Sequence, residues 1–351
     1  MQIHEKLNIW YNKEKRDLPW RNSNDPYRIW LSEIILQQTK VAQGTAYYIR
    51  FIEKFPDVFS LAEAQTDEVL KIWQGLGYYS RARNLHETAK TIAFKLNGIF
   101  PQTYSELLKL KGIGEYTAAA ISSIAFNEPK AAVDGNVKRV ISRLFSVKDE
   151  INSGSGKKAL NQLSEEILDK ANPGLHNQAM MELGASICLP RKPTCIACPL
   201  NINCLALKDN IVTELPLKYK KSKAIDRFFT YLIIRKRDFL CLQQRVSGDI
   251  WEGLYEFPLI ETSEMKSVEE CSDLLCDFLN LDSGAFKIEK VSGNIIHKLS
   301  HRNINARFCH IRISGDINTP LLPGKLVNIN EFEAYPVPKL IDRYISLTGL
   351  L

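Results

Sequence analysis

No stretch of this 351-residue chain reaches the ~18 consecutive apolar residues that a membrane helix needs. The opening residues, MQIHEKLNIWYNKEKRDLPW, are charged throughout and lack the apolar core of a secretory signal. These absences take membranes off the list of partners and place the protein in the cytoplasm. Internal repeats and low-complexity tracts are missing too, which excludes solenoids and linker-like chains. Glycine and proline are sparse, at 18 and 15 residues, as in ordinary globular proteins. A strong electrostatic field is also lacking: the net charge is +6, which fits an anionic partner without requiring one. Much of that excess lies in residues 211–240, where eight Lys or Arg, among them Lys218, Lys220, Lys221 and Lys223, face three acids. Such a run is usually a solvated face or a linker. The remainder is close to neutral, so an anionic partner must be met by placed contacts.

What the chain does contain is organised in two styles. Residues 1–210 read as helical. Asp25 before Pro26 is an N-cap followed by proline at the first helical position, opening PYRIWLSEIILQQT with its helical apolar spacing. Thr103 and Glu106 form a capping box after Pro101, starting a short helix that ends at Gly112. A helix YTAAAISSIAF follows Gly114, another follows Asp134-Gly135-Asn136, and one more runs through KKALNQLSEEILDKA. After the basic stretch, FFTYLIIRKRDFLCLQQR reads as two strands around a Lys-Arg-Asp turn. VEECSDLLCDFL reads as a helix, NIIHKL and ARFCHIRI as strands, and VPKLIDRYISL as a final helix. The expected architecture is an all-α module over 1–210, a basic linker over 211–226, and an α+β module over 227–351.

Eight cysteines in a reducing compartment are not expected to pair as disulfides. Cys241, Cys271, Cys276 and Cys309 are scattered and read as structural. Cys188, Cys195, Cys198 and Cys204 are different: they form a C-x6-C-x2-C-x5-C pattern, stiffened by Pro190, Pro193 and Pro199. Structural zinc usually uses two separated C-x2-C knuckles. Only one close pair exists here, and the wider spacings suit a [4Fe-4S] cluster held by four thiolates. Zinc and unligated thiols remain as alternatives.

Leu110-Lys-Gly112-Ile113-Gly114-Glu-Tyr116 lies between two helical patterns and reads as a helix–hairpin–helix. Glycines there let the backbone turn tightly and offer N–H groups to a phosphate oxygen at a helix start. Such a contact fixes position on a duplex and reads no sequence. This hairpin, the downstream VDGNVKRV and the four-cysteine loop, in that order, resemble the endonuclease III superfamily of DNA glycosylases. Residues 1–210 are most similar to its adenine DNA glycosylase (MutY) family, through DLPWR at 17–21, PYRIWLSEIILQQT at 26–39 and GLGYYSRARNL at 75–85.

The resemblance implies a base-flipping enzyme that cleaves an N-glycosidic bond. That reaction needs a protonated leaving base and a counter-charge for the sugar cation, work that two carboxylates in unlike environments divide. Glu33 lies among apolar neighbours, which raises a carboxyl's pKa; a helical Glu taken alone is usually a surface residue. It matches the family's catalytic glutamate, which protonates adenine and later helps activate water or another nucleophile. Asp134 taken alone reads as an N-cap; by resemblance it stabilises the oxocarbenium ion. Tyr116 and Asn136 match residues that hydrogen-bond around them. Relatives that also cut the strand carry a lysine where Tyr116 stands, so a monofunctional glycosylase is implied. Gln38 and Tyr78 match wedge residues that fill the vacated stack, and Trp20 and Arg21 line the pocket or contact DNA.

The carboxy-terminal module resembles the MutT-like domain with which this family recognises 8-oxoguanine on the opposite strand, through Gln243-Gln-Arg245 and Trp251-Glu-Gly-Leu-Tyr-Glu-Phe-Pro258. Its expected helix, VEECSDLLCDFL, has no R-E-x-x-E-E run to hold magnesium, so a recognition domain without hydrolase activity is implied. The lesion-reading segment falls at His297-Lys-Leu299-Ser300-His301, where the family usually has Phe-Ser-His; the leucine puts the aromatic wedging contact in doubt. The implied substrate is double-stranded DNA carrying adenine opposite 8-oxoguanine or guanine, acted on by a monomer at the nucleoid, with the basic linker a place for a protein partner. Two other readings are a mismatch or pyrimidine glycosylase of the same superfamily and a non-catalytic iron–sulfur DNA-binding protein.

Overall fold

A computed structural model describes residues 2–217, 224–266, 270, 275–276, 278, 286–313 and 322–351. The chain divides into two compact units, Met1–Glu63 with Asn84–Lys220, and Ala64–Arg83 with Lys221–Leu351. The second unit thus takes in the segment 64–83, which the sequence pattern groups with the helical module. None of the described helices is long and apolar enough to cross a membrane.

In the first unit the helices follow the capping signals. Asp25 accepts from the Tyr27 N–H and opens α2 (Pro26–Leu36). The capping box of Thr103 and Glu106 opens α7, which is one turn long, Tyr104–Leu107. The expected run to Gly112 instead continues as turns, because Leu108 and Leu110 donate backward to Tyr104 and Leu107 in short loops. The next helix, α8, spans Glu115–Phe126 and ends on Asn127 in the left-handed conformation. Asp134 caps α9 (Gly135–Leu144), and Ser153 caps α10 (Gly154–Glu166). The helix α11 (Pro173–Ser186) packs with α9 and α1 (Ile3–Glu14) around Leu7, Tyr11, Val140, Ile141, Met180 and Leu183. Close packing is possible because a Cβ on Gly184 would stand 2.6 Å from that of Asn136.

In the second unit a mixed sheet carries the core. β1 (Ile225–Lys236) and β2 (Phe239–Gln244) form the expected hairpin, closed by Arg237 and Asp238 with Arg237 at φ 52°. β7 (Arg302–Ile313) lies parallel to β1 over eleven residue pairs and antiparallel to β5 (Phe286–Val291) and β6 (Ile295–Lys298). The two-residue alternation of β1 sends Phe229, Tyr231 and Ile233 to one face, against α13 (Lys339–Thr348). Leu232 and Ile234 go to the other face, with Cys241, Cys309 and Ile311. Two of the scattered cysteines are therefore core residues. The helix expected over VEECSDLLCDFL lies mostly outside the described residues, as do the four lysines at the centre of the basic linker.

Candidate active site

Glu33 sits on α2 and is 8% exposed. Burial pushes its carboxyl up to about 7; the hydrogen bond from Tyr116 opposes the shift and the charge of Asp134 adds to it. Tyr116, in the first turn of α8, donates its phenol O–H to Glu33 Oε2, and its oxygen lies 3.0 Å from Met181 Sδ. Asp134 has both carboxylate oxygens engaged: Oδ1 accepts from the Val137 N–H at 2.7 Å and Oδ2 from the Asn136 amide at 2.8 Å. Burial raises its pKa, opposed by those hydrogen bonds. Asn136 in turn accepts from Arg139, which also donates to the carbonyls of Gly184 and Cys188. The four residues expected to share a site thus line one cavity of about 1120 Å³.

The same cavity holds a charge network without a local sequence signal. Glu182, on α11 and 1% exposed, takes Arg16 in a two-pronged contact at 2.6 and 2.8 Å and Arg21 at 2.5 Å. Burial would raise the Glu182 pKa, but the two guanidinium groups hold it below the usual carboxylate range. Trp20 is buried edge-on to Tyr48, with ring centroids 5.3 Å apart. Arg21 and Trp20 were legible as pocket residues, whereas Arg16 and Glu182 were not. They meet across 166 positions of sequence, and neither occurs in a distinctive motif.

The hairpin is held by Thr88, whose hydroxyl donates to the Lys111 carbonyl at 2.7 Å. Gly112 has φ 77°, and a Cβ there would stand 2.6 Å from Asn84, so glycine is required. Gly114 differs from the expectation of a second turn glycine: at φ −93° it is ordinary extended backbone and caps α8 without a side chain. A Cβ there would meet open space. Ile113 is buried. Gln38 and Tyr78 are exposed, and both have left-handed backbones, at φ 59° and 48°. Such strained positions cluster at functional sites.

The segment His297–His301 forms the end of a hairpin. His297 and Lys298 belong to β6, and the Leu299 N–H donates to the Arg302 carbonyl, leaving Ser300 and His301 as its exposed tip. Leu299 packs against the sheet core. Arg245 and Glu256, which carry the resemblance of this module, form a buried ion pair at 2.8 Å.

The four cysteines share the loop after α11, each partly exposed. Cys198 is pushed up to about 11, by burial first and then by the proximity of Cys188, Cys204 and Cys195. Arg143, fully buried on α9, lies 3.3 Å from Cys188 Sγ and donates to the Leu189 carbonyl. Among the described residues no three His, Cys, Asp or Glu side chains are drawn into metal-ligating geometry.

Known proteins resolve what this arrangement belongs to. Residues 31–170 match the family described as HhH-GPD superfamily base excision DNA repair protein, and residues 230–347 match the NUDIX domain. The first unit thus carries a base-excision core, and the protein is a DNA glycosylase. An adenine DNA glycosylase of Buchnera aphidicola subsp. Baizongia pistaciae is 36% identical over 297 residues, covering 84% of this chain and 81% of that relative. The adenine DNA glycosylase of Homo sapiens is 43% identical over 206 residues, covering 56% of this chain and 38% of that protein. A thermostable thymine-DNA glycosylase structure aligns with a TM-score of 0.54 at 31% identity, covering 59% of this chain and 95% of its own. The chain belongs to the adenine DNA glycosylase family.

Proposed function

We propose that the protein is a monofunctional glycosylase that removes adenine paired with 8-oxoguanine, and with guanine, from double-stranded DNA. The observation that carries this reading is the unlike pair of buried carboxyls, Glu33 and Asp134, in one cavity. Glu33, pushed up to about 7, keeps a proton near neutrality and hands it to a ring nitrogen of the flipped adenine. The base then leaves as a neutral species. Asp134, whose carboxylate is held by the hydrogen bonds from Val137 and Asn136, counters the charge that develops on the sugar. Glu33, now ionised, takes a proton from the incoming water. Tyr116 orients Glu33, and Asn136 orients Asp134. The phenol of Tyr116 cannot form a Schiff base, so the abasic strand stays intact. Trp20, Arg21, Arg16 and Glu182 offer a stacking face and an ordered set of donors and acceptors to a purine edge.

In this reading, residues 1–210 are the catalytic core and 227–351 the lesion-recognition domain, joined by the 211–226 linker. Gly112, Ile113 and Gly114 hold a backbone phosphate through main-chain N–H groups. Gln38 and Tyr78 fill the gap left by the flipped base, while Ser300 and His301 face the opposite strand and Leu299, packed on the sheet core, supports their loop. Cys188, Cys195, Cys198 and Cys204 hold a [4Fe-4S] cluster. Four sulfur donors on one loop, with the Arg143 guanidinium beside Cys188, suit an anionic thiolate set. The cluster, when bound, supplies a covalent staple for this loop. The enzyme works as a monomer on the nucleoid.

The test is single-turnover base release from duplexes carrying adenine opposite 8-oxoguanine, guanine or cytosine. Wild type should release adenine from the first two, with Glu33→Gln slower by a factor of about 10²–10⁴. Equal, slow release by both proteins would favour a non-catalytic DNA-binding role. Efficient borohydride trapping would contradict the monofunctional assignment.

A further inference from the structure

The phenol oxygen of Tyr116 has two neighbours that can accept its one proton. Glu33 Oε2 accepts the O–H, and Met181 Sδ lies 3.0 Å from the same oxygen. Met181 is carried to the cavity by α11, on the face that also presents Gln178 and Glu182 at helical spacing. A thioether has no proton to give and is only a weak acceptor. Its closeness to the phenol is therefore favourable only while the O–H points at sulfur. The mechanism above uses the bond to Glu33 and leaves the sulfur without a task.

A phenol that always donates to Glu33 would stabilise the carboxylate before any charge is needed there, and would weaken the acid. We propose that Met181 is a positioning residue that holds the phenol proton while Glu33 is protonated. As Glu33 gives its proton to the ring nitrogen of adenine, the phenol O–H turns from Sδ to Oε2 and meets the new carboxylate. No proton leaves Tyr116; only its direction changes. The bond to Glu33 then reaches full strength when the charge appears, which favours the step over the resting state. The other charged groups acting on Glu33 are Asp134, at the start of α9, and Arg21, which is paired with Glu182 on α11. Among the described residues neither hydrogen-bonds to the phenol. The inference rests on the acid role proposed above for Glu33.

The experiment follows single-turnover adenine release against pH for wild type, Met181→Leu, Tyr116→Phe and the double variant, on a duplex carrying adenine opposite 8-oxoguanine. Leucine keeps the volume and the helix and removes the acceptor. With the phenol proton committed to Glu33, the alkaline fall in rate should lie about half a pH unit lower than in wild type. Met181→Ile, which removes the sulfur with a different shape, should move the fall the same way. In the Tyr116→Phe background, Met181→Leu should leave the fall where Tyr116→Phe alone puts it, because sulfur acts only through the phenol. A methionine with a packing role alone would lower the rate alike at every pH. A fall that stays in place, or moves to higher pH, in either Met181 variant would overturn the proposal and leave Glu33 as the acid. So would an equal shift with and without the Tyr116 hydroxyl. A wild-type rate with no alkaline fall would overturn the acid role and the proposal together.

Discussion

Glu33 is placed where a carboxylate is least stable, and the cost is measurable. Its folded pKa of about 7 lies above the ordinary 4.5, so the folded state holds the proton more tightly than the unfolded chain. The protein therefore has its full stability below the lower value and loses it as pH rises through about 7. Glu33→Gln removes that loss. The variant should melt higher than wild type at pH 8, by an amount corresponding to on the order of 3 kcal/mol. Near pH 4 the two should melt alike, because the glutamate is then neutral in both states. Differential scanning calorimetry at both values checks this. A stabilised but inactive variant is the signature of a site held at the expense of stability, whereas a variant that melts lower at pH 8 would mark Glu33 as structural.

At the scale of elements, Asp134 caps a helix and, in the proposed mechanism, also serves the reaction. Its side chain caps α9 through the Val137 N–H, which is the reading its sequence neighbourhood gives without any family knowledge. Asparagine retains the cap and discards the charge, while alanine discards both. Asp134→Asn should thus melt close to wild type and Asp134→Ala lower by about 1 kcal/mol, with base release strongly reduced in both. Comparable activity in Asp134→Asn and wild type would confine the residue to capping. The capping rules found the starts of α2, α7 and α9 because a cap is local, spanning three or four residues. What they missed depends on pairing over distance. The parallel match of β1 with β7 joins residues 77 positions apart, such as Ile225 with Arg302, and the contacts of Arg16 and Arg21 with Glu182 are longer still. Gly114 was misread for the opposite reason. A glycine pair suggests two turn positions, but only Gly112 adopts the left-handed backbone.

At the scale of the molecule, the two styles of sequence correspond to two kinds of core. The helical unit is closed around α1, α9 and α11, and the α+β unit around a mixed sheet buried on both faces. The cysteine loop stands out in the sequence because four cysteines fall within 17 residues, and it carries the cluster proposed above. Its place beside α9 was not legible: Arg143 reaches Cys188 across 45 residues. Cys198→Ser should lose visible absorbance and bound iron and sulfide, and should melt below wild type. A colourless wild-type protein with one zinc per chain would contradict the cluster assignment.

The account depends most on an acid at Glu33 that is tuned by Tyr116. The measurement that tests it most directly is the pH dependence of single-turnover adenine release by wild type and Tyr116→Phe. The wild-type rate should fall as pH rises through about 7. Because the phenol O–H stabilises the ionised carboxylate, the fall in Tyr116→Phe should lie at higher pH. A wild-type rate that stays level into the alkaline range, or a variant whose fall moves to lower pH, would contradict it.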